Sequence, residues 1–146
     1  MVYGPFDWSF FGYTTPAGNK LMQEWYDSLP VEARDEITDA ISAVQAIPNH
    51  LWVRPLFDQL GDGLSEFRID AAMVSRKFRI YGYFGPRDER QAYTFLLGAD
   101  KRRQHQKNEQ DEAKKRMNRI ERGEAKAYEF DFTSGGNEET GKGQGG

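Results

Sequence analysis

The sequence predicts an α+β domain in which two helices cover one face of a β-sheet and a basic helix follows the last central strand. Three observations predict this class. Apolar residues recur at helical spacing in two segments between residues 16 and 47. Three strand-like runs follow between residues 63 and 98. Residues 101–122 then carry many charges around a thin apolar stripe, which is typical of a solvated helix.

Length and composition favour one domain, residues 1–133, followed by a flexible Gly-rich tail, residues 134–146. The net charge of −3 does not suit a protein that binds nucleic acid over its whole surface. Residues 99–126, however, carry ten Lys and Arg against six Asp and Glu, which places a cationic region on an acidic body. The absence of cysteine excludes a disulfide framework and fits a cytoplasmic protein. No apolar run reaches spanning length, so we expect no membrane partner.

The first third of the chain predicts a strand and then a helical hairpin. Residues 7–13 are rich in aromatic residues with strand propensity. Thr15-Pro16 is typical of a helix start, and apolar spacing predicts a helix over residues 16–28. Pro30 opens a second helix whose apolar stripe consists of Ile37, Ile41 and Val44. The short connection predicts that the two helices run antiparallel and cover the sheet.

The middle of the chain supplies the predicted strands, residues 64–71, 74–84 and 91–97. Side chains alternate between the two faces of a strand, so Lys77, Arg79, Tyr81 and Tyr83 share one face of the second of these. We expect that face to be exposed, and therefore expect Arg79→Ala to cost less than about 0.5 kcal/mol of stability.

Two segments complete the domain. The stripe of Ala113, Met117 and Ile120 predicts a helix over residues 101–122. The alternating run Tyr128–Phe132 predicts an edge strand or a partner-binding segment.

Motifs for metal or cofactor chemistry are not found. His50 and His105 are the only histidines and are far apart, and no metal-ligand spacing occurs. No phosphate-binding loop, dinucleotide fingerprint or nucleophile elbow is present either. We therefore expect a protein without a cofactor.

A basic and phenolic set remains. It consists of Arg68, Lys77, Arg79, Lys101, Arg102, Arg103 and His105, together with Tyr81, Tyr83 and Tyr93. Cleavage of RNA without a metal needs a group that accepts the 2′-OH proton, cations that stabilise the phosphorane and a group that protonates the 5′-oxygen. Arginine and lysine can supply the charge, Tyr or His can move the protons, and aromatic rings can stack on bases. Spacing alone favours ordinary surface charges on an exposed sheet face over such a site.

Four segments in the expected order resemble the RelE/HigB-like toxin superfamily, in particular its phage-derived HigB-type branch. Pro55–Ile69 is similar to that superfamily's "pLgdGLyElRi" segment. Weaker matches are Phe78–Phe84 with its "yRvlyf" strand, Leu97–Arg102 with its "hgFxKK" strand end and Glu112–Arg116 with its "eiexAxxR" helix. Ala99 stands where the superfamily has Phe, and Arg102 replaces the second Lys.

The resemblance implies an N-terminal helical hairpin on a twisted, mainly antiparallel sheet of about four strands, with a C-terminal basic helix. It also implies a metal-independent endoribonuclease that cuts mRNA at the ribosome and is neutralised by a cognate antitoxin of helix-turn-helix type. By matching motif, Arg68 and Arg79 bind phosphate or stabilise the transition state, and Lys101 and Arg102 form a cationic pair. Further candidates follow from their facing and proximity: His105, Tyr81 and Tyr83 for proton transfer, and Lys77, Arg103, Tyr93 and Lys107 for RNA binding.

Two alternatives stay open. The first is a non-catalytic binding protein on the same scaffold, of phage or other origin, which contacts nucleic acid or a host protein. The second is a structural interaction module whose working surfaces are the aromatic N-terminus and residues 128–132.

Overall fold

The computed structural model describes residues 7–100 and 106–133. These form six strands, β1 to β6, and three α-helices, α1 to α3. In chain order they are β1 (Ser9–Thr14), α1 (Leu21–Asp27), α2 (Val31–Gln45), β2 (Phe57–Gly61), β3 (Leu64–Ala71), β4 (Arg76–Phe84), β5 (Ala92–Asp100), α3 (Gln106–Glu121) and β6 (Lys126–Glu129). Short 3-10 helices at Asn49–Leu51 and Ala72–Val74 lie between them.

All six strands form one mixed sheet in the order β2-β3-β4-β5-β1-β6. β1 pairs with β5 in parallel, with Phe10 opposite Tyr93, and the other neighbouring strands are antiparallel. Arg68 of β3 lies opposite Arg79 of β4, and Asp70 lies opposite Lys77. The register therefore brings the basic residues of two strands to one part of the sheet.

The helical hairpin and α3 cover opposite faces of the sheet. On β4, Phe78 packs edge-on against Trp25 of α1, whereas Tyr81 and Tyr83 bond to glutamates of α3. Residues that differ by an odd number along a strand point to opposite faces, which separates the two layers. The hairpin side holds an aromatic core around Trp52, whose ring contacts those of Phe57, Phe67, Phe84 and Tyr93, among others.

A buried arginine fixes the turn between the two hairpin helices. Arg34 is 3% exposed, and its Nη1 atom donates to the carbonyl oxygens of Leu29 at 2.5 Å and Asp27 at 3.2 Å. The last carbonyls of a helix have no partner within it, so the bond to Asp27 satisfies the end of α1, and the bond to Leu29 holds the turn that follows. The side chains of Ile37, Ile41 and Val44 are buried, as the predicted stripe requires.

The α+β class is confirmed, but three details of the expected fold are wrong. The hairpin is not N-terminal, because β1 precedes it, and α3 is followed by β6. The sheet has six strands rather than about four. It is mainly antiparallel, as expected, and β1 and β5 form its parallel pair. The first helix begins at Leu21 and not at residue 16, since Thr15 accepts a hydrogen bond from the backbone of Asn19 and Gly18 has a positive φ of 95°. A turn, not a helix, therefore occupies residues 15–20.

In the described part of the chain, no helix is long and apolar enough to cross a membrane. The predicted tail, residues 134–146, lies outside the described residues.

Candidate functional site

The face of β4 that carries Arg79, Tyr81 and Tyr83 lies beneath α3. These residues are 5%, 0% and 5% exposed, so the expected exposed face is wrong at these three positions. The helix covers them because its glutamates bond to both phenols. The small stability cost expected for Arg79→Ala rested on an exposed side chain and no longer applies.

A buried carboxylate connects the two arginines of this face. Glu66 of β3 accepts a 2.6 Å hydrogen bond from Nε of Arg68, and its other oxygen lies 4.0 Å from Nε of Arg79. The carboxylate side chain is 3% exposed, so the attraction acts with little screening by water. The bond to Glu66 raises the pKa of the Arg68 guanidinium. Glu66 therefore fixes both cations close together.

Arg68 also reaches a second carboxylate towards the sheet edge. Its Nη2 lies 3.2 Å from Asp58 of β2, and Asp58 lies 3.1 Å from the exposed Arg54. Arg68 keeps 37% of its side chain exposed, and it is the more accessible of the two arginines that Glu66 joins.

Arg79 faces α3 with an unused donor. Its Nη1 lies 3.8 Å from Oε1 of Glu109, which is beyond hydrogen-bonding distance. That Nη1 is buried and has no hydrogen-bond partner among the described residues. Tyr81 donates to the same Glu109 oxygen at 2.8 Å. A guanidinium and a phenol thus converge on one carboxylate.

The tyrosines of the site keep their protons at neutral pH. Burial, and then the bond to Glu109, raises the pKa of Tyr81. Burial and a 2.6 Å bond to Glu121 raise the pKa of Tyr83 in the same way. Both phenols are donors to carboxylates in this structure.

Tyr93 lies on the other face, inside the aromatic core. Its ring is 0% exposed, its hydroxyl lies 2.9 Å from that of Ser65, and burial raises its pKa. The structure does not bring Tyr93 together with the arginines.

A groove of about 460 Å³ opens beside the arginine pair. Arg68, Asp70 and the exposed Lys77 supply its charged wall. Pro55 and Leu56 supply an apolar wall. Two cations beside an apolar surface can hold a phosphate and an unpaired base at once. The strand register places Asp100, the last residue of β5, opposite Phe78, another lining residue.

The remaining predicted site residues divide into two groups. Lys107 is on α3, where its side chain is 87% exposed and lies 3.5 Å from Asp111. The others lie outside the described residues and stay predictions: Lys101, Arg102, Arg103 and His105.

Sequence reasoning missed the carboxylates that organise the site, which are Asp58, Glu66 and Glu109. Glu66 gave a usable signal, because two residues along a strand separate it from Arg68 and both side chains therefore share a face. Asp58 and Glu109 gave none, since only the fold brings them to the arginines. In residues 7–100 and 106–133, no cluster of His, Asp and Glu could hold a metal ion.

Comparison with known proteins identifies the family. No curated protein and no solved structure matches the chain. A family model described as "Phage derived protein Gp49-like (DUF891)" matches residues 24–118, which include the second half of α1, all of α2, strands β2 to β5, both arginines and most of α3. That family is toxin-like and related to the RelE/HigB type. The chain therefore belongs to the Gp49-like phage-derived family.

Proposed function

We propose that this protein is the toxin of a toxin–antitoxin system, of the phage-derived HigB type, and that it cuts mRNA at the ribosome without a metal. The observation that carries the proposal is the groove in which Arg68 and Lys77 meet an apolar wall beside the buried Arg79. Family membership adds support, because the Gp49-like family is related to RelE/HigB toxins. The proposed location is the cytoplasm, and the proposed partners are mRNA, the ribosome and a helix-turn-helix antitoxin.

The cleavage follows from attack of a ribose 2′-oxygen on the adjacent phosphorus. The bond to the 5′-oxygen breaks, which leaves a 2′,3′-cyclic phosphate and a 5′-hydroxyl. Arg68 and Arg79 stabilise the extra negative charge on the phosphorane, with Lys101 and Arg102 as a second cationic pair. Tyr81 and Tyr83 hold their protons firmly, so they suit donation of hydrogen bonds to phosphate oxygens. His105 is assigned to take the proton from the 2′-OH, and the same proton is then passed to the leaving 5′-oxygen, directly or through a water molecule, so that a 5′-hydroxyl results.

Induced expression in a bacterial host tests the proposal. The wild-type chain should arrest growth and cut mRNA during translation. Lys77→Ala should relieve the arrest, because it removes a groove cation that is exposed and whose loss leaves the core intact. The matched control is Lys126→Ala, which removes an exposed lysine from β6 at the far edge of the sheet and should leave the arrest unchanged. A harmless wild type with intact mRNA would refute the enzyme.

One observation favours a second function, a binding protein that does not cleave. The hydroxyl groups of Tyr81 and Tyr83 donate hydrogen bonds to Glu109 and Glu121, respectively. In this structure they are therefore engaged and do not serve proton transfer. Such a protein would use the same groove to hold a nucleic acid or a host protein. Purified protein that binds an RNA oligonucleotide and leaves every phosphodiester intact, with and without ribosomes, would favour this function over the toxin.

A further inference from the structure

We propose that Arg79 and Tyr81 form an internal anion site, that Glu109 fills it in the free protein, and that a phosphate of single-stranded RNA displaces Glu109 when RNA binds. The inference rests on the proposed function and adds a step to it. The first turn of α3 must then leave the sheet before the site can accept RNA.

Glu109 fits the donors around it incompletely. Tyr81 donates to its Oε1 at 2.8 Å, but Nη1 of Arg79 stays 3.8 Å from the same oxygen. That Nη1 is buried and has no hydrogen-bond partner in the described part of the chain. An unused buried donor is costly, so the carboxylate fills the site incompletely. A phosphate, with more acceptor oxygens, can bond to both donors together.

A phosphate can reach these donors from the groove beside Arg68. Arg79 lies opposite Arg68 in the β3–β4 register, and Arg68 lines the groove and is partly exposed. Glu66 holds both guanidinium groups on one side of the sheet. An RNA strand that enters the groove at Arg68 therefore brings its next phosphate towards Arg79.

The helix that carries Glu109, α3, is anchored mainly beyond its first turn. The firm anchors of α3 lie further along it, where Ala113 and Ile120 are buried and Arg116 donates to the carbonyl oxygen of Leu96 at 2.8 Å. Residues 106–108 are exposed. In this first turn, Glu109 contacts Tyr81 and Arg79 of the sheet. The first turn can therefore unwind while the rest of α3 stays packed.

Binding of a fluorescein-labelled, 2′-O-methyl RNA heptamer, which cannot be cleaved by 2′-OH attack, tests the inference by anisotropy. Glu109→Gln keeps the side-chain shape but removes the competing charge, and should tighten binding about fivefold or more. Glu124→Gln is the matched control, because it makes the same change of net charge at an exposed residue beyond the other end of α3. It should change the Kd less than about twofold, in line with a solvent-screened charge.

Hydrogen exchange supplies a readout that needs no variant. Amides of residues 110–113 bond to carbonyls of the first turn, so RNA should speed their exchange in the wild type while residues 117–121 stay protected. Unchanged or slower exchange at 110–113 with bound RNA overturns the displacement.

Lys77→Ala separates this inference from the proposed function. If the wild type does not bind the heptamer, or Lys77→Ala binds it equally well, the groove function itself fails. If Lys77→Ala weakens binding but Glu109→Gln does not tighten it, or Glu124→Gln tightens it equally, only the internal anion site fails.

Discussion

Glu66→Ala is the substitution that most directly tests how the site is held together. Glu66 contacts Arg68 at 2.6 Å and lies 4.0 Å from Arg79, and its side chain is 3% exposed. Its removal leaves the buried Arg79 side chain with Glu109 at 3.8 Å as its nearest ion-pair partner among the described residues. The charge of Arg68 stays compensated, because Asp58 remains 3.2 Å away and part of the Arg68 side chain contacts water.

The expected loss of free energy of unfolding follows from this difference between the two arginines. Removing one partner of a buried ion pair typically costs about 3–5 kcal/mol, because a charge stays buried without compensation. Loss of the ion pair between Glu66 and the partly exposed Arg68 adds less than about 1 kcal/mol, as for ion pairs at protein surfaces. Because Glu109 still compensates Arg79 in part, we expect Glu66→Ala to cost about 3 kcal/mol. With a urea m-value of about 1–3 kcal/mol/M, the unfolding midpoint falls by roughly 1–3 M.

Urea denaturation followed by circular dichroism measures this cost. Adding Arg79→Met to Glu66→Ala should recover part of the loss, because the stranded charge disappears with its partner. Glu124→Ala, which breaks an exposed pair with Arg122, serves as the control and should stay within about 0.5 kcal/mol of wild type. A Glu66→Ala cost below about 1 kcal/mol, or a double variant as unstable as the sum of both single ones, would contradict the electrostatic reasoning.

Four further outcomes are expected. Tyr83→Phe removes the 2.6 Å bond to Glu121 and should lower the free energy of unfolding by about 1.5–3 kcal/mol in urea melts. Gly98→Ala places a methyl group against the ring of Trp25 and should cost about 1–3 kcal/mol. Burial raises the pKa of Tyr83 and of Tyr93 above the value of about 10 in unfolded chains, so the folded state holds these protons more tightly. The free energy of unfolding is therefore steady below about pH 9 and falls as the pH rises above about 10, which urea melts at both pH values can show. If the toxin function holds, cleavage of mRNA should persist when a chelator removes transition metals while the Mg²⁺ that ribosomes need is kept.

The elements with strong local patterns were predictable, and those that depend on distant partners were not. Apolar spacing predicted α2 and the burial of Ile37, Ile41 and Val44, and alternation predicted β3 and β4. β2 was missed, because Phe57–Gly61 contains Asp58 and Gln59 between apolar residues and becomes a strand through pairing with β3. The parallel pairing of β1 with β5 joins segments about 80 residues apart, for which no local pattern exists.

The shared face of Arg79, Tyr81 and Tyr83 was predictable, and the burial of that face was not. Alternation placed Arg79, Tyr81 and Tyr83 on one face, and the structure agrees that the two phenols reach the same helix. Whether that face meets water depends on where α3 docks, and α3 shows only a thin apolar stripe. Its docking relies on polar contacts, such as those of Glu109 and Arg116, which periodicity does not detect.

The charge balance of the site offers a way for an acidic chain to bind RNA, as the proposed function requires. Three arginines, Arg54, Arg68 and Arg79, meet three carboxylates, Asp58, Glu66 and Glu109, so the ion-pair cluster is neutral in the free protein. A neutral cluster attracts a distant phosphate only weakly. The net charge of the chain therefore does not indicate whether this groove binds an anion. The proposed displacement of Glu109 would make the cluster positive when a phosphate arrives. Affinity should then depend more on the ease of opening α3 than on the net charge of the chain, and Glu109→Gln should raise affinity more than a lysine added elsewhere on the surface.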